Sequence, residues 1–103
     1  MPKGRHDRER RGPFTTKLVR YPGKGGWTFA LIPKELAPPV TRGWGRTPVH
    51  ALVDGMGWAT SVWRDRKTGG ALLPVPARIR GDKQGGATVT VEFSFERDDD
   101  FIP

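Results

Sequence analysis

Two stretches of the chain share one order of apolar and polar segments. The first reads FALIPKEL at residues 29–36 and then VHALVDG at 49–55; the second reads ALLPVPARIRG at 71–81 and then TVTVEFSF at 88–95. Each consists of a short apolar strand, a proline that opens a turn or brief helix, a glycine-rich connection and an alternating strand. This repetition predicts a duplicated β-turn-β unit that folds as one closed β-barrel with a pseudo-twofold axis.

The alternation of side chains predicts the strands and their inward faces. It is clearest in the last strand, where Val89, Val91, Phe93 and Phe95 share one face and polar residues share the other. Asp54-Gly55 is a typical hairpin turn between two such segments. We expect a first strand that opens at Pro13, followed by strands at 27–32, 49–53, 58–64, 72–75 and 88–96.

Two prolines predict the short helical turns. Pro33 and Pro76 each fit the first position of a helix, where a missing N–H costs nothing. The first turn, at 34–37, ends before a Pro-Pro pair, and the second, at 77–80, ends at Gly81. The sequence therefore predicts one or two helical turns in an otherwise all-β chain.

The composition agrees with a small β-protein of one domain. Its 103 residues include 14 Gly and 10 Pro, which break helices and suit short strands joined by tight turns. We expect a barrel domain at residues 13–97, a disordered basic tail at 1–12 and an acidic tail at 98–103.

The chain carries no pattern typical of export or membrane insertion. It has no Cys, no apolar run long enough to cross a bilayer and no apolar N-terminal segment. We therefore expect a cytoplasmic protein with no membrane partner.

The charge balance favours an anionic partner. The formal net charge is +7, and the excess of Lys and Arg persists between residues 13 and 95. Such an excess favours nucleic acid or another polyanion, although it also serves solubility alone.

Four segments together resemble one protein family. They are GGWTFALIPKEL, VHALVDGMGWATSVW, LLPVPARIR and GGATVTVEF, and they resemble the bacterial domain-of-unknown-function family numbered nineteen-oh-five, over residues 14–96. The resemblance implies a small single-chain double-split β-barrel, an architecture distantly shared with AbrB-like DNA-binding regulators. The family's Gly-Asp before the last strand is Gly86-Ala87 here, and its helix lysine corresponds to Ala77. The resemblance implies no activity.

The sequence contains no residue pattern typical of a catalytic or a metal-binding site. His6 lies in the predicted tail, and His50 stands alone in a strand. Neither serine has the context of a nucleophile elbow, and no His, Asp or Glu spacing is typical of a metal site. The Gly-rich segments 23–26 and 84–86 precede strands, whereas a phosphate loop precedes a helix. We expect a protein that is not an enzyme and needs no cofactor or metal.

The segment Arg42-Gly43-Trp44-Gly45-Arg46 is the first candidate binding site. A tryptophan with cationic flanks is typical of a stacking platform for single-stranded nucleic acid. The alternative is that Trp44 folds down over the barrel end while both arginines stay in solvent.

A basic cluster is the second candidate for nucleic-acid binding. A polar turn and the second helical turn supply its members, and a shared patch would contact phosphates without sequence preference; they are Arg64, Arg66, Lys67, Arg78 and Arg80. A solvated surface is the alternative.

Two further tryptophans point to a different function. Trp58 and Trp63 fall on opposite faces of one strand, so one of them is a candidate for exposure. With Trp44 they would line a barrel mouth for a small apolar ligand or a partner protein. The two hypotheses are thus a nucleic-acid-binding module and a protein- or ligand-binding module. A duplicated barrel favours a monomer, and Pro74 places its strand at an edge or crossover where a homodimer could form.

Overall fold

The chain forms a closed barrel of six antiparallel strands in a computed structural model, which describes residues 7–21 and 27–97. In chain order the elements are β1 (Asp7–Arg20), β2 (Thr28–Ile32), a first 3-10 turn (Lys34–Leu36), a second 3-10 turn (Gly43–Gly45), β3 (Arg46–Val53), β4 (Met56–Arg64), β5 (Ala71–Pro74), the helix α1 (Ala77–Arg80) and β6 (Thr88–Arg97). Around the barrel the order is β1-β2-β5-β4-β3-β6. The predicted all-β barrel is confirmed.

The strand order carries a pseudo-twofold axis. Exchanging β1 with β4, β2 with β5 and β3 with β6 leaves the order unchanged. The hydrogen-bonding register obeys the same exchange. Corresponding pairs are Val19–Phe29 with Trp63–Leu72, Thr16–Val89 with Thr60–Val49, and Phe14–Val91 with Trp58–Ala51. The first half of the barrel (β1 to β3) and the second half (β4 to β6) therefore repeat one unit, as the duplicated pattern predicts.

The two prolines open corresponding turns. Pro33 has φ −65° and ψ 156°, and Pro76 has φ −70° and ψ 161°, so each enters its turn from extended backbone. α1 ends where Gly81 adopts φ 58° and donates its N–H to the carbonyl of Ala77 at 3.0 Å. Both predicted turns are confirmed, the first as a 3-10 turn and the second as a single turn of α-helix.

The core consists of the inward residues of all six strands. The predicted inward face of β6 is confirmed, since Val89, Val91, Phe93 and Phe95 are all buried. Ile79 of α1 is also buried, which fixes the helix against the barrel. Removing this apolar surface from water is the main stabilising contribution in a chain without disulfides.

The start of β1 differs from the prediction. The sequence pattern predicts a disordered tail at residues 1–12, but β1 begins at Asp7 and its first part pairs with β6. Arg11 accounts for this extension. Its guanidinium lies 5.1 Å from the centroid of the Phe95 ring, and its Nη1 donates to the carbonyls of Leu36 and Ala37, each at 3.1 Å. The charged segment is therefore held by contacts that its composition did not suggest. Residues 1–6 and the predicted acidic tail at 98–103 lie outside the described residues.

A glycine allows β1 to continue through a bulge. The register shifts between Arg11 and Phe14, and Gly12 there has φ 103°. A Cβ at Gly12 would lie 2.7 Å from the carbonyl oxygen of Val91, so no other residue fits without displacing the backbone.

The barrel wall opens at two corresponding places. Among the described residues, β4 and β5 pair only from Trp63 and Arg64 onward, and β1 and β2 pair only at their adjoining ends, from Leu18 to Arg20 on β1. Pro74 ends β5 beside the first opening and pairs there with Phe29. Of the two placements predicted for this strand, an edge or a crossover, the crossover is confirmed, because β5 lies between β2 and β4 and leaves a groove rather than a free sheet edge.

Candidate binding groove

The opening between β4 and β5 forms a groove with a volume of about 460 Å³. Three tryptophans and two arginines give it its chemical character, and we call it the tryptophan groove. Its principal lining residues are Trp27, Trp58, Trp63, Pro76, Arg78 and Arg80. The volume lies in the range typical of small-molecule sites.

The three tryptophans differ in exposure. Trp58 is an inward residue of β4 and is 8% exposed, so it forms the floor of the groove. Trp63 lies on the outer face of the same strand and is 37% exposed, and Trp27, just before β2, is 61% exposed. The ring of Trp27 stacks on Phe29 with 6.3 Å between centroids and 18° between planes. The groove therefore presents aromatic surface to solvent from two walls.

α1 supplies the positive charge. Pro76 sets the entry into the helix and buried Ile79 anchors it, so that Arg78 and Arg80 lie at the groove. Arg80 donates from Nε to the carbonyl of Val75 at 3.2 Å, which positions its guanidinium beside the cavity. The helix is too short to contribute through its dipole, and the two side chains carry the charge.

Neither arginine is paired with an acidic side chain of the described residues. Within residues 7–21 and 27–97, the ion pairs join Arg8 to Glu96, Arg10 to Glu92, Arg11 to Glu9 and Lys83 to Asp54. None involves Arg78 or Arg80, so the groove keeps a net positive charge that an anion can compensate.

The Arg42–Arg46 segment, which we call the Trp44 loop, presents its tryptophan to solvent. Trp44 is 93% exposed and has φ 68°, in the left-handed region that non-glycine residues rarely adopt. The backbone N–H of Arg42 donates to the carbonyl of Arg46 at 2.9 Å, which closes the loop beneath the ring. The alternative in which Trp44 covers the barrel end is therefore wrong.

Comparison with known families identifies the domain. The model of the family described as Domain of unknown function (DUF1905) matches residues 14–93. The chain belongs to the DUF1905 family. Neither the curated proteins nor the solved structures contain a significant match to the chain. Membership confirms the resemblance seen in the four sequence segments, and it assigns no activity.

This DUF1905 domain departs from the family pattern at two positions, Ala77 and Ala87, and both can be located in the fold. Ala77 opens α1 and lines the tryptophan groove. Ala87 precedes β6, and its N–H donates to the carbonyl of Gln84 at 2.9 Å, so the glycine-rich segment forms a turn. The other glycine-rich segment, 23–26, lies outside the described residues, as does His6.

The predicted basic cluster is divided between the two ends of β5. Arg64 pairs with Ala71 at the beginning of β5, and Arg66 and Lys67 lie in the turn before it. Arg78 and Arg80 follow the other end of the strand. The five residues do not form one patch, because β5 separates them. The structure instead combines the two α1 arginines with the predicted Trp58 and Trp63.

Trp27 is the groove tryptophan that the sequence pattern does not indicate as a binding residue. The alternation places it on the face of β2 that carries Phe29 and Leu31, in a strand covered on both sides. That face is the outer one, because Ala30 and Ile32 are the buried residues. The available signal is its position at the very start of the strand, directly after two glycines.

The opening between β1 and β2 forms a second groove, with a volume of about 520 Å³. Its principal lining residues are Val19, Tyr21, Leu31, Pro33, Lys34 and Lys67. The strand register equates Val19 with Trp63. Counting from Pro33 and Pro76 equates Glu35 with Arg78. The second groove therefore has the same backbone plan and lacks the tryptophans and arginines.

Asp54, in the turn between β3 and β4, is hydrogen-bonded to the segment after α1 and to β6. Its Oδ2 accepts a hydrogen bond from Nζ of Lys83 at 2.8 Å, and its Oδ1 accepts one from the N–H of Thr90 at 2.9 Å. The bond from Lys83, followed by that from Thr90, holds the pKa of the Asp54 carboxyl below its ordinary value. The residue expected only to shape a hairpin turn thus fixes the connection that follows the groove arginines.

No group of three or more His, Cys, Asp or Glu within 7–21 and 27–97 could hold a metal ion. In the same part of the chain, no helix has the length and apolarity that crossing a bilayer requires.

Proposed function

We propose that this DUF1905 domain is a non-enzymatic, cytoplasmic module that binds single-stranded nucleic acid in the tryptophan groove. The observation that supports it is the convergence of partly exposed Trp27 and Trp63 with unpaired Arg78 and Arg80 around one cavity. Bases stack on the indole rings, and the guanidinium groups contact the flanking phosphates.

Stacking favours a single strand over a duplex. In a duplex the faces of the bases are occupied by their neighbours, whereas an unpaired base exposes both faces. Each base stacked on an aromatic side chain contributes about 1–3 kcal/mol, with little dependence on base identity. The proposed binding is therefore tolerant of sequence and selective for unpaired nucleotides.

A salt titration with matched variants tests this proposal. The measurement is the fluorescence anisotropy of labelled single-stranded and duplex oligonucleotides, with the full chain, from low to moderate salt. We expect the single strand to bind more tightly and its affinity to fall as salt rises. In Arg78→Ala/Arg80→Ala the salt slope falls by about 0.7 for each phosphate that the variant no longer neutralises.

The control variant is Arg66→Ala/Lys67→Ala, which removes the same charge from the other end of β5. We expect it to keep the wild-type salt slope. An equal loss in both variants would show that total charge, and not the groove, governs binding. No binding by the wild type would exclude nucleic acid as the partner.

The cavity volume supports one other candidate. A space of about 460 Å³ also fits a small aromatic anion, which would use the same tryptophans and arginines. Competition separates the two, because a mononucleotide that displaces the oligonucleotide completely, at equal affinity, indicates a small-ligand site. The pairing that closes the barrel leaves no free sheet edge among the described strands, so we propose a monomer.

A further inference from the structure

We propose that the nucleic-acid surface continues out of the tryptophan groove, past Arg46, to Trp44, so that one strand of several nucleotides occupies both. This inference rests on the proposed function and defines its ligand as an extended single strand. The groove alone would accommodate only its shortest fragments.

The outer face of the barrel connects the two places. Arg46 on β3 pairs directly with Trp63 on β4, and both point outward because Thr47 and Val62 are the buried neighbours. Side chains directly opposite on antiparallel strands lie about 5 Å apart at Cβ. Trp63 therefore has the tryptophan groove on its β5 side and Arg46 on its β3 side.

The Trp44 loop is seated against this pair. A Cβ at Gly45 would lie 3.6 Å from Cβ of Arg64, so the loop rests on the end of β4 next to Trp63. The backbone of the loop is closed by the bond between Arg42 and Arg46. The backbone that carries Trp44 is thus anchored two residues from Arg46, which leaves less backbone conformational entropy to lose when a base stacks on the exposed ring.

Arg46 has an unused donor between the two platforms. Its Nε is buried from solvent and has no hydrogen-bond partner among the residues that the structure describes. A buried donor without a partner is destabilising. A phosphate that draws the guanidinium outward relieves this cost, and a strand that links a base on Trp63 to a base on Trp44 brings a phosphate to that position.

A length series tests the extension. Oligodeoxythymidines of increasing length, from the dinucleotide upward, are titrated into the full chain by anisotropy or by quenching of indole fluorescence. The wild-type affinity should rise with length beyond the fragment that fills the groove. In Trp44→Ala that rise should be abolished, which lowers the affinity for long strands about tenfold and leaves the dinucleotide unchanged.

Two further variants sharpen the result. Trp44→Phe keeps an aromatic face and should retain most of the gain with length. Met56→Ala removes an exposed apolar side chain from the far end of β4 and should behave as the wild type at every length.

The outcomes separate the extension from the proposed function. Binding to the dinucleotide with no effect of Trp44→Ala at any length overturns the extension and keeps the groove as the site. An equal loss for short and long strands also overturns it, because Trp44 would then act on the groove itself. No binding at any length overturns both.

Discussion

The two openings of the barrel wall share a backbone plan and differ in the aromatic and arginine side chains that would contact a ligand. At corresponding positions, the second half has Trp63 and Arg78 where the first half has Val19 and Glu35. Both openings are cavities of similar volume, about 460 and 520 Å³. The fold therefore supplies two equivalent openings, and only their side chains decide which of them binds an anion that stacks on aromatic rings. This agrees with the general rule that function belongs to sites placed on a fold.

The largest expected effect comes from removing the aromatic walls. Trp27→Ala/Trp63→Ala should weaken binding of a single strand by about 2 kcal/mol or more, roughly 30-fold, because two stacking surfaces are removed. Val19→Ala, at the position corresponding to Trp63, should leave the affinity unchanged. Titration by anisotropy measures both, and a similar loss in the two variants would remove the distinction between the grooves.

A comparable effect, this time on stability, is expected from the residue that fixes the end of the first 3-10 turn. Arg11 holds the carbonyls of Leu36 and Ala37 in the first half. Arg11→Ala should lower the free energy of unfolding by about 2 kcal/mol, since it removes the hydrogen bonds to two backbone carbonyls, the ion pair with Glu9 and the contact with the Phe95 ring. Urea denaturation provides the measurement.

The neighbouring residue is the control for this change. Arg10→Ala removes an exposed arginine that pairs with Glu92, and such surface pairs contribute at most about 1 kcal/mol. If both variants lose the same stability, the first part of β1 is held by its strand pairing and not by Arg11.

A charge exchange tests the comparison at constant net charge. In Glu35→Arg/Arg78→Glu the acid and the base trade places between corresponding turns. We expect about a tenfold loss of affinity, near 1.4 kcal/mol, because an attraction to phosphate becomes a repulsion. Glu35→Arg alone should have little effect. Retention of full affinity by the exchanged protein would contradict the assignment of the site to the second half.

The smallest effect is a pH-dependent one at Asp54. Asp54→Asn keeps a residue that tolerates φ 50° and should cost about 1 kcal/mol near neutral pH. Because folding lowers the pKa of this carboxyl, its contribution is complete above the ordinary carboxyl pKa and is lost as the pH falls through the folded value. The difference in unfolding free energy between wild type and variant should therefore shrink in acid.

Asp82 offers the matched control for the acid measurement. It is exposed and forms no ion pair among the described residues. Asp82→Asn should leave the free energy of unfolding near neutral pH unchanged, and a difference that persists unchanged into acid for Asp54→Asn would exclude its carboxylate as the cause.

The features predicted best from the sequence are those set by local chemistry. The alternation through Val89 and Phe95 determines the inward face of β6, and Pro33 and Pro76 determine where the turns begin, because each depends on side-chain period or backbone restriction alone. The repeated order of segments likewise predicted a closed barrel with a pseudo-twofold axis.

The features predicted poorly depend on partners distant in the sequence. The strand at residues 7–12 forms because β6 lies alongside it, and no local property of a charged segment indicates that neighbour. The tryptophan groove likewise depends on where β4 leaves β5, which places α1 beside Trp27. The sequence predicted tryptophans for stacking and a basic cluster, but it assigned the arginines at both ends of β5 to a single patch.

The pairing of Asp7 with Arg97 has a consequence for how the domain folds. The barrel is closed by strands from the two ends of the described chain, so this contact has nearly the largest sequence separation available. Loop-closure entropy must be overcome before such pairing adds stability, and proteins rich in distant contacts fold slowly for their size. The hairpin of β3 and β4 can form early, but on a ribosome the barrel closes only after β6 has emerged and paired with β1.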